Sequence, residues 1–210
     1  MSDVFISYAR KDLDFVKGLH ASLEARGKSA WVDWEGIPPS AEWLGEIKGA
    51  IEETEAFVFV ISPYSCSSEI CALELAHARE QGKRLIPVLR AEVSESEVDA
   101  SLRGLNWILL RTADDQDLGV ERLVAALETD LEHVKAHTRL LVRANEWVRG
   151  ARDESLLLRG RDLAGAEYFI ASEATLEPRA TALQLEFVNN SRRAATRRQR
   201  LTLVAVSTAL

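Results

Sequence analysis

The chain has 210 residues, a formal net charge of −7, 47% apolar residues and 28% charged ones, a mix that excludes a disordered or wholly membrane-embedded protein. Its length suits one well-buried domain plus a substantial extra segment. The acidic balance argues against nucleic acid as a partner, because binding a phosphate backbone needs clustered Lys and Arg.

Met1 to Asp12 lacks the basic start and apolar run of a secretory signal, so a cytoplasmic location is expected. Val4 to Ser7 is a short run of β-formers, and Leu13, Val16, Leu19 and Leu23 then recur at helical spacing until Gly27. Ala30 to Asp33 repeats the strand signal. Gly36, Pro38 and Pro39 break it, and Trp43, Ile47 and Ile51 restart a helix. Ala56 to Ile61 is apolar throughout, as a strand buried on both faces of a parallel sheet should be. A Ser-rich loop, a helix over about Ser68 to Gln81, a strand over Arg84 to Leu89, a variable stretch to Arg103 and a strand over Trp107 to Leu110 follow. Helix is expected from Leu118 onward.

Strands alternating with helices through about 135 residues predict one doubly wound parallel α/β sheet. Five strands suggest the flavodoxin-like order 2-1-3-4-5. Its switch point lies between the first and third strands, and ligands bind at the carboxyl ends of the strands there. Those ends are Tyr8 to Asp12 and Ser62 to Ser68.

Beyond His137 no strand signal remains, while Leu140, Ala144 and Trp147, and then Leu163, Ala166 and Ile170, keep helical spacing. The expected division is a sheet domain over 1–137, a C-terminal helical segment over 138–192, and a basic flank with the start of an apolar helix over 193–210. His133 and His137 stand four apart, a spacing that can hold metal. With no third ligand nearby and charged neighbours, two exposed helical histidines are expected instead. Cys66 and Cys71 have no companion pair or His at metal-ligand spacing, so neither a metal nor a disulfide framework is implied.

Arg192, Arg193, Arg197, Arg198 and Arg200 precede LTLVAVSTAL. One reading is a cytoplasmic flank leading into a membrane helix of a longer parent chain, although ten residues are about half of the roughly 20 that a span needs. The other is an amphipathic helix that packs on the first domain or serves oligomerisation.

Glu74 is the most informative single residue. At about 100° per residue, Ile70, Cys71, Glu74 and Ala78 share one side of their helix, while Glu69, Arg79 and Glu80 cluster elsewhere. A carboxylate in the middle of an apolar stripe is either buried or working, and this one can face a ligand at the switch point with a raised pKa. For an arbitrary Glu, a surface or inter-helix pairing with Arg would be the default reading.

Four blocks in order, Phe5-Ile6-Ser7-Tyr8, Trp31-Val32-Asp33, the loop Trp34 to Trp43, and Ser68-Glu69-Ile70-Cys71-Ala72-Leu73-Glu74, together with Trp107, resemble a Toll/interleukin receptor (TIR) domain of the bacterial type. The resemblance covers about residues 1–137. It implies a flavodoxin-like fold, assembly with other TIR domains through the loop 34–43, and, in enzymatic members, cleavage of NAD+ at the nicotinamide–ribose bond, with NAD+ as substrate rather than cofactor. The enzymatic signature Ser-x-Trp-Cys-x-x-Glu falls on Ser68, Cys71 and a catalytic Glu74. Ile70 stands where the family commonly has Trp, and Trp34, Trp43 or Tyr8 are the aromatic side chains that could substitute. On this reading Ser7, Tyr8 and Arg10 line the opposite wall and Arg10 approaches phosphate or nicotinamide. The expected function is an NAD+ glycohydrolase or ADP-ribosyl cyclase of bacterial immune signalling; the alternative is an adaptor acting through TIR–TIR contacts alone.

Overall fold

The computed structural model describes residues 2–34, 41–172 and 176–207, with side chains in those ranges except at 41–43, 113–116 and 201–207. The chain divides into two compact units, Met1–Val134 and Lys135–Leu210.

In the first unit β1 (Val4–Ser7), β2 (Ala30–Trp31), β3 (Ala56–Ile61), β4 (Arg84–Leu89) and β5 (Ile108–Leu109) form one sheet in the order β2-β1-β3-β4-β5, each neighbouring pair parallel. This is the flavodoxin-like order predicted from the alternation of strand and helix signals. The crossovers carry α1 (Leu13–Glu24), α2 (Ala41–Glu53), the single turn α3 (Pro63–Cys66), α4 (Glu69–Glu80) and another turn, α5 (Ala100–Arg103); α6 (Ala113–Glu128) follows β5.

Because successive strand side chains point to opposite faces, the core sorts into two layers. Val4, Ile6, Val58 and Val60 pack with Val16, Leu19 and Leu23 of α1 and with Leu123 and Leu127 of α6. On the other face Phe5, Phe57, Phe59 and Ile61 meet Ile47 and Ile51 of α2 and Cys71, Leu75 and Ala78 of α4. Phe5 stacks between Trp31 and Phe57, with ring centroids 4.8 and 5.4 Å apart. Each large apolar side chain buried here contributes roughly 1.5–3 kcal/mol. Ser7 continues the Phe5 face, so the alternation carries a hydroxyl to the carboxyl end of β1 and aims it at the layer containing α4.

Two strands are shorter than expected, and neighbouring side chains explain why. The β2 ladder ends at Trp31 rather than Asp33 because the Asp33 carbonyl accepts from Tyr8 Oη and an Arg10 guanidinium nitrogen, both at 2.8 Å. Trp107 lies outside β5, its indole N–H donating to Leu102 O at 2.8 Å. The final helix of this unit begins at Ala113, a turn or more before Leu118. Its close approach to β5 requires Gly119, where a Cβ would lie 2.6 Å from Leu109 O.

At the opposite, amino edge of the sheet, Lys83 is buried and its Nζ donates to the carbonyls of Glu52 (2.8 Å) and Thr54 (2.7 Å). The ammonium thereby closes the carboxyl end of α2 and the entry to β3.

The second unit contains most of α7 (Leu131–Arg149), α8 (Gly160–Ser172) and α9 (Ala182–Ser207). Leu140, Ala144, Trp147, Phe169, Phe187 and Val188 are central to its core. Its buried polar groups are matched to backbone: Gln184 Nε2 donates to His137 O at 2.8 Å, and Ser191 Oγ accepts from Leu158 N–H at 3.1 Å while donating to Phe187 O at 2.8 Å. His133 and His137 are buried, 8% and 0% exposed, contrary to the expectation of an exposed pair. They belong to the stripe 133, 137, 140, 144, 147, which is the buried face of α7, while Glu132 and Arg139 face outward. Val148, next to the buried Trp147, is exposed. Among the described residues no helix is long and apolar enough to cross a membrane.

Candidate active site

Two serine caps set the geometry at the carboxyl edge of the sheet. Ser62, at the end of β3, caps α3 in a reciprocal pair with Ser65, and its hydroxyl donates to Asp12 Oδ2 at 2.6 Å. Ser68 then caps α4, accepting from the Cys71 N–H at 3.3 Å. With α4 starting there, Glu74 falls in its second turn on the face turned toward β1. Ser7 Oγ donates to Glu74 Oε2 at 2.6 Å across 67 residues of chain.

Glu74 is only 8% exposed. Burial lifts its pKa from 4.5 to about 7; the Ser7 hydroxyl pulls it down and the Asp33 charge pushes it up, while Arg10 pulls it down again. A carboxyl poised there exchanges protons in the neutral range. Its neighbour Cys71 is driven the other way from reactivity. Burial, and next the Glu74 charge, push its thiol up to about 11 against the opposing Ser68 and Ser7 contacts, so it packs as an apolar group rather than acting as a nucleophile.

Beside this pair lies a polar clamp. Arg10 reaches Asp33 Oδ2 at 2.6 Å and Tyr8 Oη at 3.3 Å, and Tyr8 itself donates to Asp33 O. The Tyr8 phenol is raised mainly by burial. Arg10 remains substantially exposed and has N–H donors beyond those these contacts use.

On the other side of Glu74, Ile70 and Leu73 of α4 and Leu44, Ile47 and Ile51 of α2 form a shallow apolar slot that Glu74 helps to line. The residue before Glu74, Leu73, is 57% exposed. The slot and the clamp thus flank Glu74 with an apolar face on one side and a half-exposed arginine on the other.

The chain in this region matches a family model described as TIR domain over residues 4–124. The chain belongs to the TIR domain family. Among solved structures, the TIR domain of the Toll-related receptor TRR-2 from Hydra magnipapillata is similar at 23% identity and a TM-score of 0.52, over 60% of this chain and 98% of that one. A TIR-STING receptor from C. gigas, solved in complex with 2',3'-cGAMP, is similar at 24% identity and a TM-score of 0.49, over 60% of this chain and 39% of the receptor. At its identity the likeness to the TRR-2 domain is one of fold. No curated protein matches the chain.

Of the residues singled out in the sequence of this TIR domain, Ser7, Tyr8, Arg10, Ser68, Ile70, Cys71 and Glu74 gather at the carboxyl edge. Trp34 is 40% exposed and meets the edge of His20 on α1, with ring centroids 5.1 Å apart. The Trp43 side chain and residues 35–40 lie outside the described residues. Sequence reasoning missed Asp33, which holds Arg10, whereas Asp12, which accepts from Ser62, lies in the stretch Tyr8 to Asp12 that the switch-point rule marks.

Proposed function

We propose that this TIR domain is an NAD+ nucleosidase with Glu74 as its catalytic residue. The observation that carries the reading is the buried Glu74–Ser7 pair at the switch point, where desolvation brings the carboxyl to about 7. The resemblance of Ser68, Cys71 and Glu74 to the enzymatic signature supports the substrate.

The chemistry asks little of the protein. Breaking the bond between ribose C1′ and the pyridinium nitrogen releases neutral nicotinamide and moves the positive charge onto an oxocarbenium-like ribosyl group. Ionised Glu74 stabilises that charge and orients the ribose hydroxyls. Water then adds at C1′ and gives up a proton, yielding ADP-ribose; attack by a nucleophile within the ADP-ribosyl group yields a cyclic product instead. Arg10, held by Asp33, presents its remaining donors to the pyrophosphate. The loop 34–43 of a neighbouring copy completes the site, which makes turnover depend on self-assembly, in the setting of immune signalling.

The working form is the carboxylate, so turnover rises with pH through about 7. The test is incubation of concentrated protein with NAD+, followed by separation of nicotinamide, ADP-ribose and cyclic products, for the parent and Glu74→Gln. Retained cleavage in a folded Glu74→Gln protein overturns the assignment of Glu74.

A second reading, a scaffold working through TIR contacts without turnover, is favoured by one observation. Ile70, at the position where enzymatic relatives carry an aromatic ring, packs toward α2 and offers no stacking face to a dinucleotide. Absence of nicotinamide under enforced clustering selects that reading.

A further inference from the structure

The two units carry opposite charge. Met1–Val134 has thirteen Lys and Arg against twenty-five Asp and Glu, whereas Lys135–Leu210 has thirteen against eight, and twelve of those thirteen cations are Arg. Arginine holds carboxylates in two-pronged hydrogen bonds and sheds water more readily than lysine, so it is suited to interfaces.

Part of that charge surrounds a groove between α7 and the start of α8. Leu140, Leu158 and Ala166 form its floor, and Arg139, Arg143 and Arg161 stand around it. Arg143 is loosely engaged by Asp162 at 3.7 Å and Glu146 at 3.9 Å. Among the described residues Arg139 and Arg161 make no ion pair, and both are exposed. Gly165 keeps the floor low, with no atom within 4 Å of where a Cβ would stand. An apolar floor under arginines, opened by small residues, fits an acidic helix that offers one large apolar side chain.

The first unit contains such a helix. On α6, Asp117 is 99% exposed on its side chain, Leu118 is 54% exposed and Glu121 is exposed. The three lie within an arc of about 100°. Arg26 stands 3.8 Å from Asp117, and Arg122 flanks the patch, so the acids are only partly compensated.

We propose that the groove of the second unit receives α6 from a second copy of this chain, with Leu118 on the apolar floor and Asp117 and Glu121 against Arg139 and Arg161. The contact is head-to-tail, joining unlike surfaces, so it builds open chains or rings rather than a two-fold dimer. It uses residues outside the Glu74 site and stands whether or not that site cleaves NAD+.

The test is the mass of the full chain in solution by light scattering across a concentration series, at about 50 mM and about 500 mM salt, because exposed charge pairs are screened over this range. The expected result is association beyond the monomer at low salt that weakens at least tenfold at high salt. Two charge reversals, R139E/R161E and D117R/E121R, should each abolish the salt-sensitive association, as distinct from assembly through the loop 34–43, while keeping the parent's circular dichroism and melting curve. Mixing the two variants should restore it, since each reversed surface then meets its complement. A parent that stays monomeric at low salt, or variants that associate like the parent, overturn the proposal. So does a mixture that fails to reassociate although both variants are folded.

Discussion

The two edges of the sheet each bury an ionisable side chain, and they treat it differently. At the amino edge Lys83 is pushed down to about 7 by desolvation, with Glu52 and Glu55 opposing, and its ammonium is met by two backbone carbonyls. At the carboxyl edge Glu74 is pushed up to about 7 by the same physical cause, and among the described residues its one hydrogen bond is from Ser7. The same physical cause therefore does not make equal sites. Lys83 lies where two carbonyls at a helix end and a strand entry need a donor, which is a structural task. Glu74 has acceptor capacity to spare beside an exposed arginine and an apolar slot, and that surplus is what the proposed catalytic role draws on.

The largest effect that tests this contrast is on turnover. Glu74→Gln should lower NAD+ cleavage by about a thousandfold, whereas Lys83→Met should leave the rate per folded molecule unchanged. Loss of activity in both variants, measured as nicotinamide release, would erase the distinction between the edges.

Stability should respond in the opposite sense. The folded pKa of Glu74 lies above its unfolded value, so the folded state holds the proton more tightly and loses stability as pH rises from about 4.5 through about 7. Glu74→Gln removes that cost. The variant should be more stable than the parent by up to about 3 kcal/mol at pH 8, with the gain shrinking toward zero below pH 4.5. Denaturant titrations at the two pH values check this. Lys83→Met strands two buried acceptors and should cost about 2 kcal/mol in the same measurement.

Ser7→Ala is the smallest and sharpest probe. Its hydroxyl favours the ionised form of Glu74, so its loss should move the pH midpoint of turnover upward by about one and cut the rate near pH 7 severalfold. Recovery at higher pH distinguishes a positioning hydroxyl from a general packing defect; an unshifted profile would remove Ser7 from the site.

The sheet order was legible because strand and helix signals alternate and the β3 run is too apolar to sit at an edge. The burial of Glu74 at the carboxyl edge was legible too, from the helical wheel and the switch-point rule. Asp33 was not, since a strand end says nothing of which side chains will fold over it, and the Tyr8–Arg10–Asp33 clamp forms across 23 and 25 residues of chain. The histidines of α7 failed for a related reason. Their four-residue spacing fits an exposed pair and a buried stripe equally, and the neighbours that pack around a helix decide between them.

By itself, the sequence determined the periodicities: which strands are buried on both faces, which turns serine caps begin, and that an acid interrupts the apolar stripe of α4. Tertiary structure alone decided what that acid is. Periodicity is a property of neighbours along the chain, whereas desolvation and a 2.6 Å hydrogen bond from Ser7 arise only when β1 and α4, 67 residues apart, are brought together.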